Sequence, residues 1–304
     1  MPNWNDVLKE IQTRQNIAHS AVDVIRREYL LKLHKHTSRN IIAYYSGFLS
    51  KPPIAQLEIN DEDKNGFMMA VHKLDKKKGL DLILHTPGGD VGATQSIVNY
   101  LHKIFKKDIR AIIPQIAMSA GTMIACSCRS ILMAEHSNLG PIDPHLRGVP
   151  AYGVIEEFKR AYREIKKDPN KIVLWSTIIN QYKPTFLGQC ENAIKWSNDF
   201  VKEQLENVMF AGETNANKKA KTVANKLADY KLNRRHERHI HLEECRDIGL
   251  KVERIEGDSV LQDLVLTVHH CFMHSLMNTP AFKMIENHNG VAFVKLQAIP
   301  PPHR

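Results

Sequence analysis

One serine and one pair of glycines have the residue types and spacing that acyl-transfer chemistry requires. Gly88 and Gly89 follow an apolar run at residues 80–84 and precede a helical pattern. Their backbone can approach a ligand closely, and their N–H groups lie where a helix begins and an oxyanion is favoured. Ser119 follows at the start of the next helix, within the small-residue turn 117–121. The combination predicts a nucleophile beside preformed N–H donors.

The elements around these residues alternate in type. Apolar runs at residues 80–84, 109–113 and 131–134 are typical of buried strands, and helical patterns separate them. Strand, helix, strand, helix, strand is a βαβαβ unit, which implies parallel strands with right-handed crossovers. Ser119 and the two glycines then follow neighbouring strands.

Three motifs in this unit resemble those of a known superfamily. TPGGDVGAT at 86–94 resembles the oxyanion segment of the Clp protease/crotonase superfamily, and AMSAGTMIA at 117–125 resembles its nucleophile turn. NLGPIDP at 138–144 is similar to the following strand in the signal peptide peptidase branch. With the segments 26–49 and 236–252, the resemblance covers most of the chain and is closest to the serine dehydrogenase proteinase (SDH) family.

The resemblance implies an α/β fold of the Clp/crotonase type, built of repeated β-α units with parallel strands and extended by helices at both ends. We predict an N-terminal helical and strand extension at 1–50, a catalytic core at 51–211 and a C-terminal helical segment at 212–304. The implied activity is that of a serine endopeptidase acting on peptides or proteins, assembled as a homo-oligomer. The implied roles are nucleophile for Ser119 and oxyanion hole for Gly88 and Gly89.

The general base is left open by the sequence. Clp subunits use a histidine and signal peptide peptidases use a lysine, but this chain has neither at the corresponding positions. His145 is the first candidate, because it lies just past the strand expected to flank Ser119, and Lys159 on the next helix is the second. Asp143 is a candidate for orienting the base or shaping the turn, and His236 is a remote third candidate for the base.

Three alternatives compete with the peptidase hypothesis. The first is a scaffold or peptide-binding protein of the same fold that has lost its general base. The second is a crotonase-type enzyme that uses the oxyanion hole on a thioester, although no adenine- or pantetheine-specific motif is present. The third is a zinc site formed by His236, His239, His241 and Cys245, whose spacing is not that of helical zinc ligands.

Composition narrows the functional class further. The 304 residues contain no apolar stretch long enough to span a membrane, and the N-terminus lacks a signal-peptide pattern, so we expect a cytoplasmic protein without a transmembrane segment. The five scattered cysteines indicate reduced thiols. The net charge of +9 is concentrated in runs typical of solvated helix faces, without the aromatic residues of single-strand binders. We therefore expect no specific nucleic acid partner, no metal and no cofactor.

Overall fold

The computed structural model describes residues 4–13, 20–146, 148–229 and 238–297. The chain is a mixed α/β protein whose main sheet has seven strands, which confirms the predicted fold class. The helices of the described residues are α1 Trp4–Thr13, α2 Ala21–Thr37, α3 Asp63–Val71, α4 Val91–Phe105, α5 Ala120–Cys126, α6 Ala151–Lys167, α7 Ile172–Ile179, α8 Phe186–Gln204, α9 Ala216–Ala228, α10 Leu242–Ile248 and α11 Ser259–Asn278.

The strands form one large sheet and two small ones. They are β1 Asn40–Ser46, β2 Leu80–His85, β3 Ile109–Ile113, β4 Ile116–Ala117, β5 Ser130–Met133, β6 Asn138–Leu139, β7 His145–Leu146, β8 Val149–Pro150, β9 Ile240–His241, β10 Val252–Arg254, β11 Ala281–Asn287 and β12 Ala292–Leu296. The large sheet has the order β10-β5-β3-β2-β1-β11-β12. Its strands from β10 to β1 are parallel, whereas β11 and β12 are added antiparallel.

The large sheet is buried on both faces because helices cover both. Alternate residues of β1 belong to separate hydrophobic clusters, with Ile42 and Tyr44 in one and Ile41, Ala43 and Tyr45 in the other. This is the two-residue period of a strand. The result is a rigid frame in which the ends of β2 and β3 have fixed positions.

Strand β11 was not predicted, because it carries charged residues in a fully buried position. The Lys283 ammonium lies 2.9 Å from the Asp63 carboxylate, and both side chains are fully buried. Glu286 on the same strand is buried beside Arg26, with 2.5 Å between the Arg26 Nε and a carboxylate oxygen. Burial of these charges is tolerated because each has a partner.

Residues 151–204 form a three-helix unit, α6 to α8, that we call the helical arm. Its own small cluster includes Ala151, Val154, Phe186 and Cys190. The apolar periodicity of the sequence predicts helices at about 152–167, 172–182 and 185–210, and the observed ends of the last two are earlier. Helix α8 ends at Gln204 and continues into a π-helical turn at Leu205–Met209.

The helices and the cysteines can be compared with the expectations from the sequence. Within the described ranges, none of the helices combines the length and the apolar character needed to cross a bilayer. All five cysteines are buried and free, as the prediction of reduced thiols required. The predicted division into segments 1–50, 51–211 and 212–304 stays a prediction.

Candidate active site

The turn between β4 and α5 holds Ser119 in an unusual backbone conformation. Its φ of 49° and ψ of −113° lie outside the regions that L-residues normally occupy. The conformation is held by backbone hydrogen bonds on either side, from Gly121 N to Met118 O (2.7 Å) and from Met123 N to Ser119 O (3.0 Å). Ser119 is therefore the half-buried residue immediately before a helix, with its side chain free of any capping role.

Gly88 and Gly89 lie against this turn and against the segment before α3. A Cβ atom on Gly88, whose φ is 105°, would lie 2.7 Å from the Ser119 Cβ. A Cβ on Gly89, whose φ is 153°, would lie 2.3 Å from the Ile59 nitrogen. Glycine is thus required at both positions, because the backbone has a positive φ and because there is no room for a Cβ atom. Two hydrogen bonds complete the arrangement, from Ile59 N to Gly88 O (2.8 Å) and from Asp90 N to Ile59 O (2.9 Å).

The N–H groups of the two glycines differ in their surroundings. The Gly88 N–H donates to the Thr86 hydroxyl oxygen at 3.2 Å, whereas Gly89 lines the cavity in front of Ser119. A third N–H group, that of Ala120, belongs to the first residue of α5, where a helix leaves its N–H groups without intrahelical partners. It would lie 3.1 Å from a Cβ on Gly88. The sequence does not indicate Ala120 as a donor, because a backbone N–H group is common to all residues except proline and leaves no side-chain pattern.

A cavity of about 560 Å³ opens in front of Ser119. It lies beyond the carboxyl end of β2, where parallel sheets commonly bind ligands. The sheet side contributes Gly89 and Ser119, and the loop leading to the helical arm contributes His145. The cavity therefore brings together three residues that the sequence analysis had selected from separate segments.

His145 lies beside Asp143 at the edge of this cavity. Its Nε2 is 3.7 Å from an oxygen of Asp143, and the two side chains are 28 % and 2 % exposed. This separation is longer than a hydrogen bond. The Asp143 carboxylate also faces Tyr152, whose pKa is raised by burial first and then by Asp143 and Asp229. Asp143 thus connects the cavity histidine to the beginning of the helical arm.

Lys159 is not part of this arrangement. Lys159 lies in a separate cavity with Tyr152 and Asp229, and its ammonium pairs with Glu156 at 3.3 Å. His236 lies outside the described residues, so the structure has no bearing on it as a candidate base.

Helix α8 covers the cavity from the side opposite the sheet. Ala193, Trp196 and Ser197 line the cavity, and their spacing of three and four residues makes one helix face. The indole N–H of Trp196 donates to the Gln95 side-chain oxygen at 3.1 Å, which links α8 to α4. The apolar pattern of the sequence places Trp196 in one stripe with Phe200 and Val201. The 47 % exposure of Trp196 shows that its own side chain does not belong to the core.

The proposed zinc ligands show no metal-binding arrangement among the residues that can be described. Cys245 is buried, and burial raises the pKa of its thiol to about 12. The protonated thiol donates to the Ile240 carbonyl at 3.6 Å and is not the form that binds zinc. In the described part of the chain, no three His, Cys, Asp or Glu residues are grouped so that they could hold a metal ion.

Comparison with known proteins agrees with this architecture. A family model described as ClpP-like SDH-type serine proteinase matches residues 9–283. Two uncharacterised proteins of Methanocaldococcus jannaschii are similar in sequence. One, MJ0137, is 31 % identical over 195 residues, covering 64 % of this chain and 60 % of the relative. The other, MJ1495, is 28 % identical over 194 residues, covering 64 % and 59 %. The chain therefore spans about three fifths of the length of these relatives.

Among solved structures, the chain is similar to a serine-to-alanine mutant of 1510-N, a membrane-bound stomatin-specific protease. The TM-score is 0.39 and the sequence identity 16 %, over 64 % of this chain and 74 % of that chain.

Proposed function

The chain belongs to the family of ClpP-like SDH-type serine proteinases, and on this premise we propose that it hydrolyses peptide bonds by acyl transfer through Ser119. The observation that carries the proposal is the backbone of Ser119. A non-glycine residue held at φ 49° directly before a helix, with its side chain at the edge of a cavity, has the conformation of a nucleophile turn. Such strain is retained where the surrounding structure enforces it.

In the proposed reaction, the Ser119 hydroxyl attacks the substrate carbonyl and loses its proton to His145. The developing oxyanion is held by the glycine segment. Gly88 allows this segment to lie close to Ser119, and Gly89 donates its N–H group to the oxyanion. The Ala120 N–H is the second donor that we propose. His145 then protonates the leaving amine, and water releases the acyl group from Ser119 by the reverse proton transfers.

His145 is the base that we favour, and Asp143 is the residue that would orient it. Both belong to the segment 142–146, in which His145 lines the cavity, whereas Lys159 lines another cavity. The 3.7 Å separation is compatible with this role, since catalytic hydrogen bonds often shorten when substrate binds.

The experiment that tests the proposal is labelling with a fluorophosphonate probe followed by peptide mapping. We expect one adduct, on Ser119, and none in Ser119→Ala. The matched control is Ser197→Ala, which removes a second serine from the same cavity and should keep the label. An adduct on Ser197 or on neither serine would contradict the assignment.

The base is tested by the same assay on His145→Ala and Lys159→Ala. We expect His145→Ala to slow labelling by about 10²–10⁴-fold, the usual contribution of a general base. Lys159→Ala should label at the rate of the unmodified chain. The reverse result would transfer the role to Lys159.

A second candidate function is peptide binding without hydrolysis. The observation in its favour is the 3.7 Å separation between the His145 Nε2 and an Asp143 oxygen, which is longer than a hydrogen bond. In that case a folded chain would retain peptides without cleaving them, and Ser119 would not react with the probe.

We also propose that the protein forms a homo-oligomer, as the family resemblance implies, and that it is located in the cytoplasm, as its composition led us to expect. Sedimentation velocity and cell fractionation would test these two points.

A further inference from the structure

The end of the helical arm carries a protruding apolar segment. Ile172, Val173 and Leu174 form the first turn of α7 and are 54 %, 74 % and 59 % exposed. Tyr162 on α6 is 69 % exposed. Three consecutive exposed aliphatic residues are unusual on a protein surface and indicate an interaction site.

The exposure of these residues is imposed by the contacts of their neighbours. Trp175, the next residue of α7, is only 4 % exposed. Its indole N–H donates to Glu164 at 3.3 Å, and the Arg160 guanidinium lies 5.7 Å from its ring centre. The Asp168 carboxylate accepts from Asn170 N at 3.1 Å and fixes the turn before α7. With Trp175 anchored on α6, the preceding three residues face outward.

The surroundings of the apolar segment are basic. With Glu156 and Glu157 of α6 included, residues 156–183 contain seven lysines and arginines and four acidic residues, which leaves three positive charges in excess. Glu164 is engaged by Arg160 first and then by Lys171 and Trp175, and this lowers its pKa to about 2. Its negative charge is thus paired within the arm, whereas Lys166 and Lys167, in the last turn of α6, are exposed.

This combination identifies the chemistry of the partner. A second copy joined through the same face would place two sets of excess positive charge against each other. An anionic lipid surface satisfies both features, because aliphatic side chains enter the acyl boundary while lysines remain with the headgroups. A tyrosine such as Tyr162, with an apolar ring and a polar hydroxyl, is favoured at the same boundary between acyl chains and headgroups.

We propose that residues 159–183 dock the protein on anionic membranes, with Ile172, Val173 and Leu174 inserted into the interface. We call this surface the docking tip. The inference does not depend on peptidase activity. The arm that carries the docking tip also lines the cavity of Ser119 through Ala193, Trp196 and Ser197, so docking would hold the cavity close to the membrane.

The test is co-sedimentation of the full chain with vesicles of phosphatidylglycerol and phosphatidylcholine. Vesicles of phosphatidylcholine alone serve as the uncharged comparison. We expect binding to the anionic vesicles that weakens as salt is added, because exposed charges are screened.

Two sets of variants separate the apolar and the basic contributions. The combined Ile172→Ser, Val173→Ser, Leu174→Ser variant should bind anionic vesicles at least about tenfold more weakly, and so should Lys166→Glu with Lys167→Glu. The matched controls are Leu49→Ser, Val260→Ser, Met277→Ser, which remove equally exposed apolar residues elsewhere, and Lys76→Glu with Lys77→Glu. Both controls should bind as the unmodified chain does.

The proposal is overturned if the unmodified chain does not sediment with anionic vesicles, or if the controls weaken binding as much as the docking-tip variants. Sedimentation velocity without lipid tests the main alternative occupant of the docking tip, which is a second copy of the chain. If the triple serine variant loses an oligomer that the unmodified chain forms, and vesicle binding is absent, the occupant of the tip is a second copy. Fluorophosphonate labelling of Ser119 is measured in parallel, so that a failure of the docking inference is separable from a failure of the proposed function.

Discussion

The core around the sheet and the helical arm differ in how closely neighbouring atoms confine each residue. At Gly89 in the core, an added Cβ would lie 2.3 Å from the Ile59 backbone, whereas at Gly188 in the arm it would meet nothing within 4 Å. Lysines show the same contrast. Lys283 in the core is fully buried with Asp63, and Lys159 in the arm is 59 % exposed.

The difference suggests a division of labour within the chain. The proposed nucleophile and oxyanion donors need positions fixed to a fraction of an ångström. Backbone contacts in the core fix the positions of Ser119 and the two glycines. A recognition surface needs exposed side chains, and the arm presents these at the cavity and at the docking tip. The comparison predicts that equivalent substitutions have large effects in the core and small effects in the arm.

The largest contrast should come from a single methyl group added to each region. Gly89→Ala introduces both backbone strain and overlap with Ile59, each of which costs about 1–3 kcal/mol in ordinary cases. The overlap is with main-chain atoms, so we expect a total loss of about 4–6 kcal/mol in the free energy of unfolding. Gly188→Ala lies inside α8, where replacing glycine stabilises a helix by about 0.5–1 kcal/mol.

Chemical denaturation of the two variants beside the unmodified chain measures this contrast. Labelling of Ser119 should also be lost in Gly89→Ala, even under conditions where the variant is folded. Equal changes in the free energy of unfolding at both glycines would show that neighbouring atoms restrict residues in the core and in the arm to the same degree.

Removal of a lysine charge gives the next contrast. Lys283→Met leaves the buried Asp63 without its cation, although Asp63 still accepts a hydrogen bond from the Tyr44 hydroxyl at 2.9 Å. We expect a loss of about 3–5 kcal/mol, the usual cost of breaking a buried pair. Lys159→Met breaks an exposed pair with Glu156 and should change stability by less than about 1 kcal/mol.

A second substitution checks that the effect at Lys283 is electrostatic. Asp63→Asn combined with Lys283→Met removes both charges, and stability should partly return. If the double variant is as unstable as the sum of the two single variants, packing of the lysine stem is the cause and the charge argument fails.

The sequence was sufficient to predict the centre of the fold and the components of the candidate site. Strand β2, the glycine pair, Ser119 and helix α5 are contiguous in the chain, so apolar runs and small residues indicate them locally. His145 was selected because a short segment separates it from the preceding strand. Its approach to the cavity agrees with that reasoning, while its catalytic role stays a proposal.

Long-range contacts explain what the sequence could not provide. Strand β11 was missed because Lys283 and Glu286 interrupt its apolar pattern, and their partners Asp63 and Arg26 are 220 and 260 residues away. The sequence placed Trp196 in the apolar stripe of its helix and gave it no role at the cavity. Only the packing of α8 beside α4 shows that this stripe continues past the core and into the cavity.

Between pH 6.5 and 4, acid should weaken the core more than the arm, which is the smallest of the contrasts. The arm, residues 151–204, contains no histidine. In the core, burial lowers the pKa of His85 to about 4, and burial together with His34 lowers the pKa of His288 to about 4. The unfolded chain binds these protons near pH 6.5 and the folded chain only near pH 4. The contribution of these two histidines to the free energy of unfolding therefore decreases as the pH falls between these values and is constant below them.

For fully buried His85 the loss should approach about 3 kcal/mol at pH 4. His85→Gln tests the assignment, because a glutamine does not titrate and the slope of stability against pH should become shallower. His72→Gln removes an exposed histidine and should keep the original slope. A slope that is unchanged in His85→Gln would mean that other groups carry the acid sensitivity. Since the imidazole of His85 lies between the Ser46 carbonyl and the Gln115 side chain, directly before the strand end that leads to Gly88, protonation there would loosen the same frame that fixes Ser119.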